Sequence, residues 1–177
     1  MAEAADTVVT ALRKGRKVLT AGNGGSAAEA MHLAEELVGR FRSNRRSLPA
    51  VALVADGTAL TCIGNDFGFD AVFSRQIESL GSPGDVLVLF TTSGRAANLR
   101  QAVVAARRRR MHVVLFLGGD GGPLAGAGDV QVLVNDAPTE RIQEAHQVAL
   151  HVLLSRVEEV FAGAAQVRAT GARKRKR

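Results

Sequence analysis

The chain has 177 residues, 46% of them apolar, with seven Phe and no Trp or Tyr, which suits one domain whose core is built mainly from Val, Leu, Ile and Ala. The formal charge of +6 is carried by Arg168, Arg173, Lys174, Arg175, Lys176 and Arg177, so the rest of the chain is balanced and a nucleic-acid-binding body is not implied. The single Cys62 excludes an internal disulfide and suits a reducing cytoplasm; the start at Met1–Asp6 lacks the features of a signal peptide, and no stretch is apolar enough to span a bilayer.

In chain order, residues 3–14 read as a helix stopped by Gly15, and 17–21 as a short strand. A Gly-rich turn follows, then a helix from Ser26 to about Phe41. A polar, basic loop over 42–49 leads to a strand at 50–54. Two short helices are expected on either side of Asn65-Asp66-Phe67-Gly68. The run 86–90 is apolar at every position, as in a central parallel strand. A polar turn leads to a helix ending near Arg110, where the cations Arg107 to Arg110 complement the helix C-terminus. Strands at 112–117 and 130–134 precede a long helix over 139–161. This alternation predicts right-handed crossovers and a three-layer α/β/α sandwich of about five parallel strands, flavodoxin-like or Rossmann-like. Residues 1–165 form a single domain, and the basic tail 166–177 is expected to be disordered.

Ligands of such sheets bind at the carboxyl ends of strands, where two polar turns fall. Gly22-Asn23-Gly24-Gly25-Ser26 offers backbone N–H groups, with Ser26 as a candidate helix cap, and suits a sugar oxyanion or hydroxyl. It is neither a dinucleotide fingerprint, since Ala27 stands where a third glycine would be, nor a Walker loop, since it lacks the lysine. Thr91-Thr92-Ser93-Gly94 places three hydroxyls before a helix N-terminus and suits a phosphate monoester without Arg or Lys. Taken alone, the first is more often a plain turn, and the second divides evenly between a phosphate cradle and a capped turn. The stretch Gly118 to Gly122 is read as loop geometry.

Two helix faces carry the remaining chemistry. His32 and Glu36 are four apart and share a face; Gln143, Gln147 and His151 follow the same rule over two turns. An imidazole, a carboxylate, an amide oxygen and a second imidazole suit Zn²⁺ or a similar ion, and the same groups suit a base and an acid for proton transfer. Glu35 is expected to face away from Glu36. His112 reads as structural, His146 as structural or bordering the site, and Asp66 as a possible helix cap.

Several motifs together resemble the bacterial sedoheptulose 7-phosphate isomerases (phosphoheptose isomerases) of the sugar isomerase, or SIS, fold. They are Gly22–Ser26 with Met31-His32-Leu33-Ala34-Glu35-Glu36 and Gly39-Arg40-Phe41; Gly64 to Phe69; Thr92-Ser93-Gly94; and Arg141-Ile142-Gln143-Glu144 with His151. The resemblance covers about residues 8 to 162. It implies an aldose–ketose isomerase that forms D-glycero-D-manno-heptose 7-phosphate, the first step toward activated heptoses. By the same resemblance Glu36 is the base and His151 the acid. Asn23, Gly24, Gly25, Ser26, Glu36, Asn65, Asp66, Thr91, Thr92, Ser93 and Gln143 meet the substrate. His32, Glu36, Gln143 and His151 match the family's zinc ligands, one Zn²⁺ per subunit, and the members are cytoplasmic homotetramers. A non-catalytic SIS paralogue, binding a replication initiator or sensing a sugar phosphate, is the alternative; paralogues of that kind lack the acid–base set found here.

The chain departs from the family at Thr91 and Ala96, where Ser is usual, and at Glu140, where Asp is usual. Ala96 removes one hydroxyl, a loss worth about 1 kcal/mol of hydrogen bonding. The chain also begins roughly one helix later than is usual in that family, and that helix normally contributes to tetramer assembly.

Overall fold

A computed structural model describes residues 1–135 and 138–174, with side chains described through residue 162. The elements in chain order are α1 (Ala2–Arg13), β1 (Val18–Gly22), α2 (Gly25–Val38), β2 (Ala50–Ala52), α3 (Gly57–Phe67), α4 (Ser74–Leu80), β3 (Val86–Thr91), α5 (Ala97–Arg108), β4 (His112–Gly118), β5 (Val130–Val134) and α6 (Thr139–Lys174). Short 3-10 turns lie at Phe69–Ala71 and Gly122–Leu124.

The five strands form one parallel sheet in the order β2-β1-β3-β4-β5. The chain leaves β1 for one edge, then returns to place β3 on its other side. The switch point therefore lies between β1 and β3, and the two polar turns follow those strands.

Strand alternation divides the core into two faces. Val86, Val88 and Phe90 pack with Val114 and Phe116 against α1, α2 and α6, through residues such as Leu12, Leu33, Leu37, Leu150 and Leu154. Leu87 and Leu89 pack on the other face with Leu115, Phe73, Ile77 and the Leu99–Ala106 stripe of α5. β1 and β3 are buried at every position because helices cover both sides.

The amino end of the sheet is tied by Asp85. Its carboxylate, 2% exposed, accepts from the Lys17 amide (3.0 Å), the Lys17 ammonium (2.5 Å) and the Ser82 amide (2.8 Å). No helix among the described residues is long and apolar enough to cross a membrane.

β2 stops at Ala52 rather than at residue 54, and three larger differences from expectation stand beside it. α2 stops at Val38 rather than Phe41, because the Leu37 carbonyl is taken by the Leu48 amide and the Arg45 guanidinium, which also takes the Glu36 carbonyl. Asn65 and Asp66 lie in the last turn of α3 instead of between two helices. Asp56 caps that helix through the amides of Thr58 and Ala59, and Gly68, at φ 83°, ends it. The α6 backbone runs on to Lys174, past the expected end at Phe161, through a stretch rich in the helix formers Ala, Arg and Gln. The side chains of the expected tail, and residues 175–177 altogether, lie outside the described residues.

Candidate active site

The site is built at the carboxyl end of β1 and β3 from two loops and two helices. Gly24, at φ 55°, is the N-cap of α2, and no side chain caps that helix. The expected cap, Ser26, instead sits inside the first turn, buried against Gly22, where a Cβ would come 2.4 Å from the Ser26 carbonyl oxygen. Gly24 and Gly25 are left exposed at a positive helix end. A Cβ on Gly25 would come 2.2 Å from Nε2 of Gln143, so the Gln143 carboxamide lies over this loop.

The second loop stands beside the first. Reciprocal amide hydrogen bonds of 3.0 and 2.9 Å join Asn23 to Asn98, in the first turn of α5. Thr91 is buried, and its hydroxyl oxygen accepts from the Gly94 amide at 3.1 Å and weakly from the Ser93 amide. Its acceptor therefore shapes the turn, while Thr92 and Ser93 carry the more accessible hydroxyls. Ala96 stands at the N-cap of α5, where no side chain caps. The amides of its first turn are accordingly open toward an anion.

Gly94, at φ 63°, is required here: a Cβ would meet the Gly121 carbonyl oxygen at 1.8 Å. The stretch 118–122, read from sequence as loop geometry, thus packs against the hydroxyl loop. Asp120 in that stretch pairs with Arg95 at 2.7 Å; the Gly122 amide first, then Arg95, hold its carboxyl below the usual range.

The titratable cluster lies between α2 and α6. His32 Nε2 is 3.3 Å from Glu36 Oε1, and His32 Nδ1 is in close contact with the Gln147 carboxamide. The His151 ring meets His32 edge-on at 5.3 Å between centroids and stacks on Phe41 at 5.5 Å and 26°. Glu36 and His151 thus flank one imidazole. Glu36 Oε2 is buried and has no hydrogen-bond partner. One ligand atom from each of His32, Glu35 and Glu36 lies within 4.8 Å of the others. A carboxylate with one open oxygen next to His32, whose ring meets that of His151, is a donor set that fits a divalent ion of the Zn²⁺ type.

Three features were not legible in the sequence. Glu35, although exposed, has a carboxylate oxygen within 4.8 Å of ligand atoms of His32 and Glu36. Gln147, rather than Gln143, meets His32: the offset of α6 against α2 decides which turn arrives. A buried pair lies behind the cluster, with Glu29 Oε2 3.8 Å from His146 Nδ1, while His146 Nε2 donates to the Leu117 carbonyl at 3.2 Å. Both Glu29 carboxylate oxygens lack a hydrogen-bond partner. The available signal was spacing, with Glu29 four residues after Gly25 and three before His32.

Asn65 and Asp66 are exposed on α3. Their side chains bond to each other at 2.7 Å, and Cys62 approaches Asp66 at 3.7 Å. Among the described residues, no hydrogen bond joins them to the histidine cluster.

A doubly wound parallel sheet with two polar loops at its switch point, beside a His–Glu–His cluster, defines an α/β protein with a candidate ligand site at the strand ends. Residues 1–118 match the SIS domain family. The phosphoheptose isomerase of Pelobacter propionicus is 47% identical over 161 residues, covering 91% of this chain and 85% of that protein. The solved phosphoheptose isomerase of Neisseria gonorrhoeae is 45% identical, covers 90% of this chain and 85% of its own, and superposes with a TM-score of 0.85. That of Francisella tularensis, 36% identical over 89% of this chain and 84% of its own, gives 0.86. The chain belongs to the phosphoheptose isomerase family of SIS-domain proteins.

Proposed function

We propose that the protein is an aldose–ketose isomerase that converts D-sedoheptulose 7-phosphate to D-glycero-D-manno-heptose 7-phosphate. The observation that carries this reading is that Glu36, whose buried Oε2 is open, and His151 stand on either side of the His32 ring. A carboxylate oxygen held without a partner is available to accept a proton, and an imidazole nearby can donate one.

In the reaction Glu36 takes the proton from C1 of the ketose as His151 donates a proton to the C2 oxygen, giving the 1,2-enediol. Glu36 then returns its proton to C2 while the C1 hydroxyl gives its proton back to His151, leaving the aldehyde. Each residue ends as it began, so no external oxidant or reductant is required. The phosphate sits on Thr92, Ser93 and the open amides of α5, and the sugar hydroxyls on Asn23, Gly24, Gly25 and Gln143. Ser26 and Thr91 support those two loops from within.

His32, Glu36 and His151, with Glu35 and one carboxamide of α6, are the residues that would hold a Zn²⁺ ion. When bound, such an ion supplies a positive charge that favours the enediolate. A homo-oligomer, with a tetramer as the reading, is supported by α3, which buries none of its residues and leaves Phe67 54% exposed, with Phe69 after it 64% exposed. Asn65 and Asp66 lie on that helix and would then reach a substrate through assembly. A cytoplasmic setting is supported by the single free Cys62.

The test is incubation of the purified protein with sedoheptulose 7-phosphate, following aldose formation. Turnover is expected; none from the Zn²⁺-loaded protein would leave the non-catalytic paralogue as the better account.

A further inference from the structure

The loop between α2 and β2 carries Phe41 against His151, yet residues 40–47 make no backbone–backbone hydrogen bond among the described residues. Side chains hold it instead. Arg45 is fully buried at the guanidinium and donates from Nε to Glu158 Oε1 (2.9 Å), from Nη1 to the carbonyls of Leu37 and Arg46 (3.0 Å each), and from Nη2 to the Glu36 carbonyl (2.6 Å). The other oxygen of Glu158 accepts from the Ser43 amide at 2.7 Å.

The placement of the two ends matters. Glu158 is seven residues after His151 and shares its stripe of α6. Arg45 grips the carbonyl of Glu36 at the end of α2. The pair therefore cross-links the helix turn bearing one reactive group to the helix face bearing the other, and the loop between them carries the ring on which His151 stacks. A buried ion pair is weak evidence for stability, since well-packed apolar residues often serve as well. Its directional bonds to four separate main-chain groups (Glu36, Leu37, Ser43 and Arg46) are what apolar residues could not supply.

We propose that Arg45 and Glu158 are positioning residues that hold Phe41 against His151 and set the approach of His151 to Glu36. The proposal rests on the isomerase reading for its effect on rate, and on geometry alone for the placement of Phe41.

The test combines Glu158→Gln, Phe41→Ala and the double variant, assayed with sedoheptulose 7-phosphate. Each single change is expected to lower kcat about ten- to hundredfold, the scale of a small misplacement of reacting groups, with KM held within about threefold because the phosphate loop is untouched. The double variant should be little slower than either single one, since both remove the same contact. In the full-length protein, nuclear Overhauser contacts between the Phe41 and His151 rings should vanish in Glu158→Gln. An unchanged kcat in Glu158→Gln, losses that multiply in the double variant, or ring contacts that persist would each overturn the proposal. If Glu158→Gln does not fold, Arg45→Lys takes its place, because an ammonium has too few donors to serve all four acceptors. A wild-type protein that forms no aldose would defeat the isomerase reading, and the ring contacts would still decide the placement of Phe41.

Discussion

The two ends of the sheet treat buried polar groups in opposite ways. At the amino end, the Asp85 carboxylate meets two amides and an ammonium. At the carboxyl end, one buried oxygen of Glu36, both of Glu29 and His146 Nδ1 make no hydrogen bond, the last two residues facing each other only at 3.8 Å. Leaving a buried acceptor unsatisfied costs about 1–3 kcal/mol, so the second arrangement works against folding. The contrast teaches that one end of a single hydrophobic core is spent on holding the chain together. The other leaves buried polar atoms open beside the candidate site.

That division predicts graded and separable effects. The largest belongs to Glu36→Gln, whose amide cannot accept a carbon-bound proton: kcat should fall by about 10²–10⁴ while the thermal midpoint stays near that of the parent. Steady-state kinetics with calorimetry checks both parts. Gly94→Ala comes next. It forces a Cβ into the Gly121 carbonyl at a positive φ, so KM for the phosphosugar should rise more than tenfold, and stability should fall by about 2 kcal/mol or more.

Asp85→Ala should invert that profile. Loss of hydrogen bonds to a buried carboxylate predicts about 3 kcal/mol less stability in urea, with kcat of the folded protein unchanged. A fall in kcat comparable to that of Glu36→Gln would break the contrast between the ends.

A smaller effect belongs to pH. Burial pushes the Glu158 carboxyl up, but the Ser43 amide and Arg45 together outweigh it and hold the carboxyl below its ordinary value of 4.5. Because the folded value is the lower one, this group's stabilising contribution is complete above about 4.5 and is lost as pH falls through the folded value. Acid unfolding of Glu158→Gln should therefore be less steep than that of the parent over this range. Smallest of all, removing residues 168–177 should leave kcat/KM within about twofold, since the candidate site residues lie between Asn23 and His151.

Much of the molecule was legible in the sequence, for reasons visible in particular residues. The unbroken apolar run at 86–90 could hardly be anything but a strand covered on both faces. Turns carrying hydroxyls and glycines after two strands put the candidate anion loops at the switch point, where both are found. His32 and Glu36, one helical turn apart, announced a shared face. The rest depended on tertiary offsets. Which glutamine of α6 arrives at His32 is set by how far α6 slides along α2, a quantity that no local pattern encodes. The α2 helix ends early because Arg45 takes its last carbonyls from a distance, and a cation eight residues past the end of Leu37 gives no such signal. Asn65 and Asp66 were expected between two short helices, whereas α3 runs through Gly64 and carries both in its last turn.

Isomerisation in heavy water, comparing the parent protein with Glu36→Gln, tests the central claim most directly. The account predicts that the parent forms aldose carrying solvent deuterium at C2, and that the variant forms almost none and leaves C1 of the ketose unexchanged. A variant that turns over and exchanges at near the parent's rate would contradict the assignment of Glu36 as the group that moves the proton.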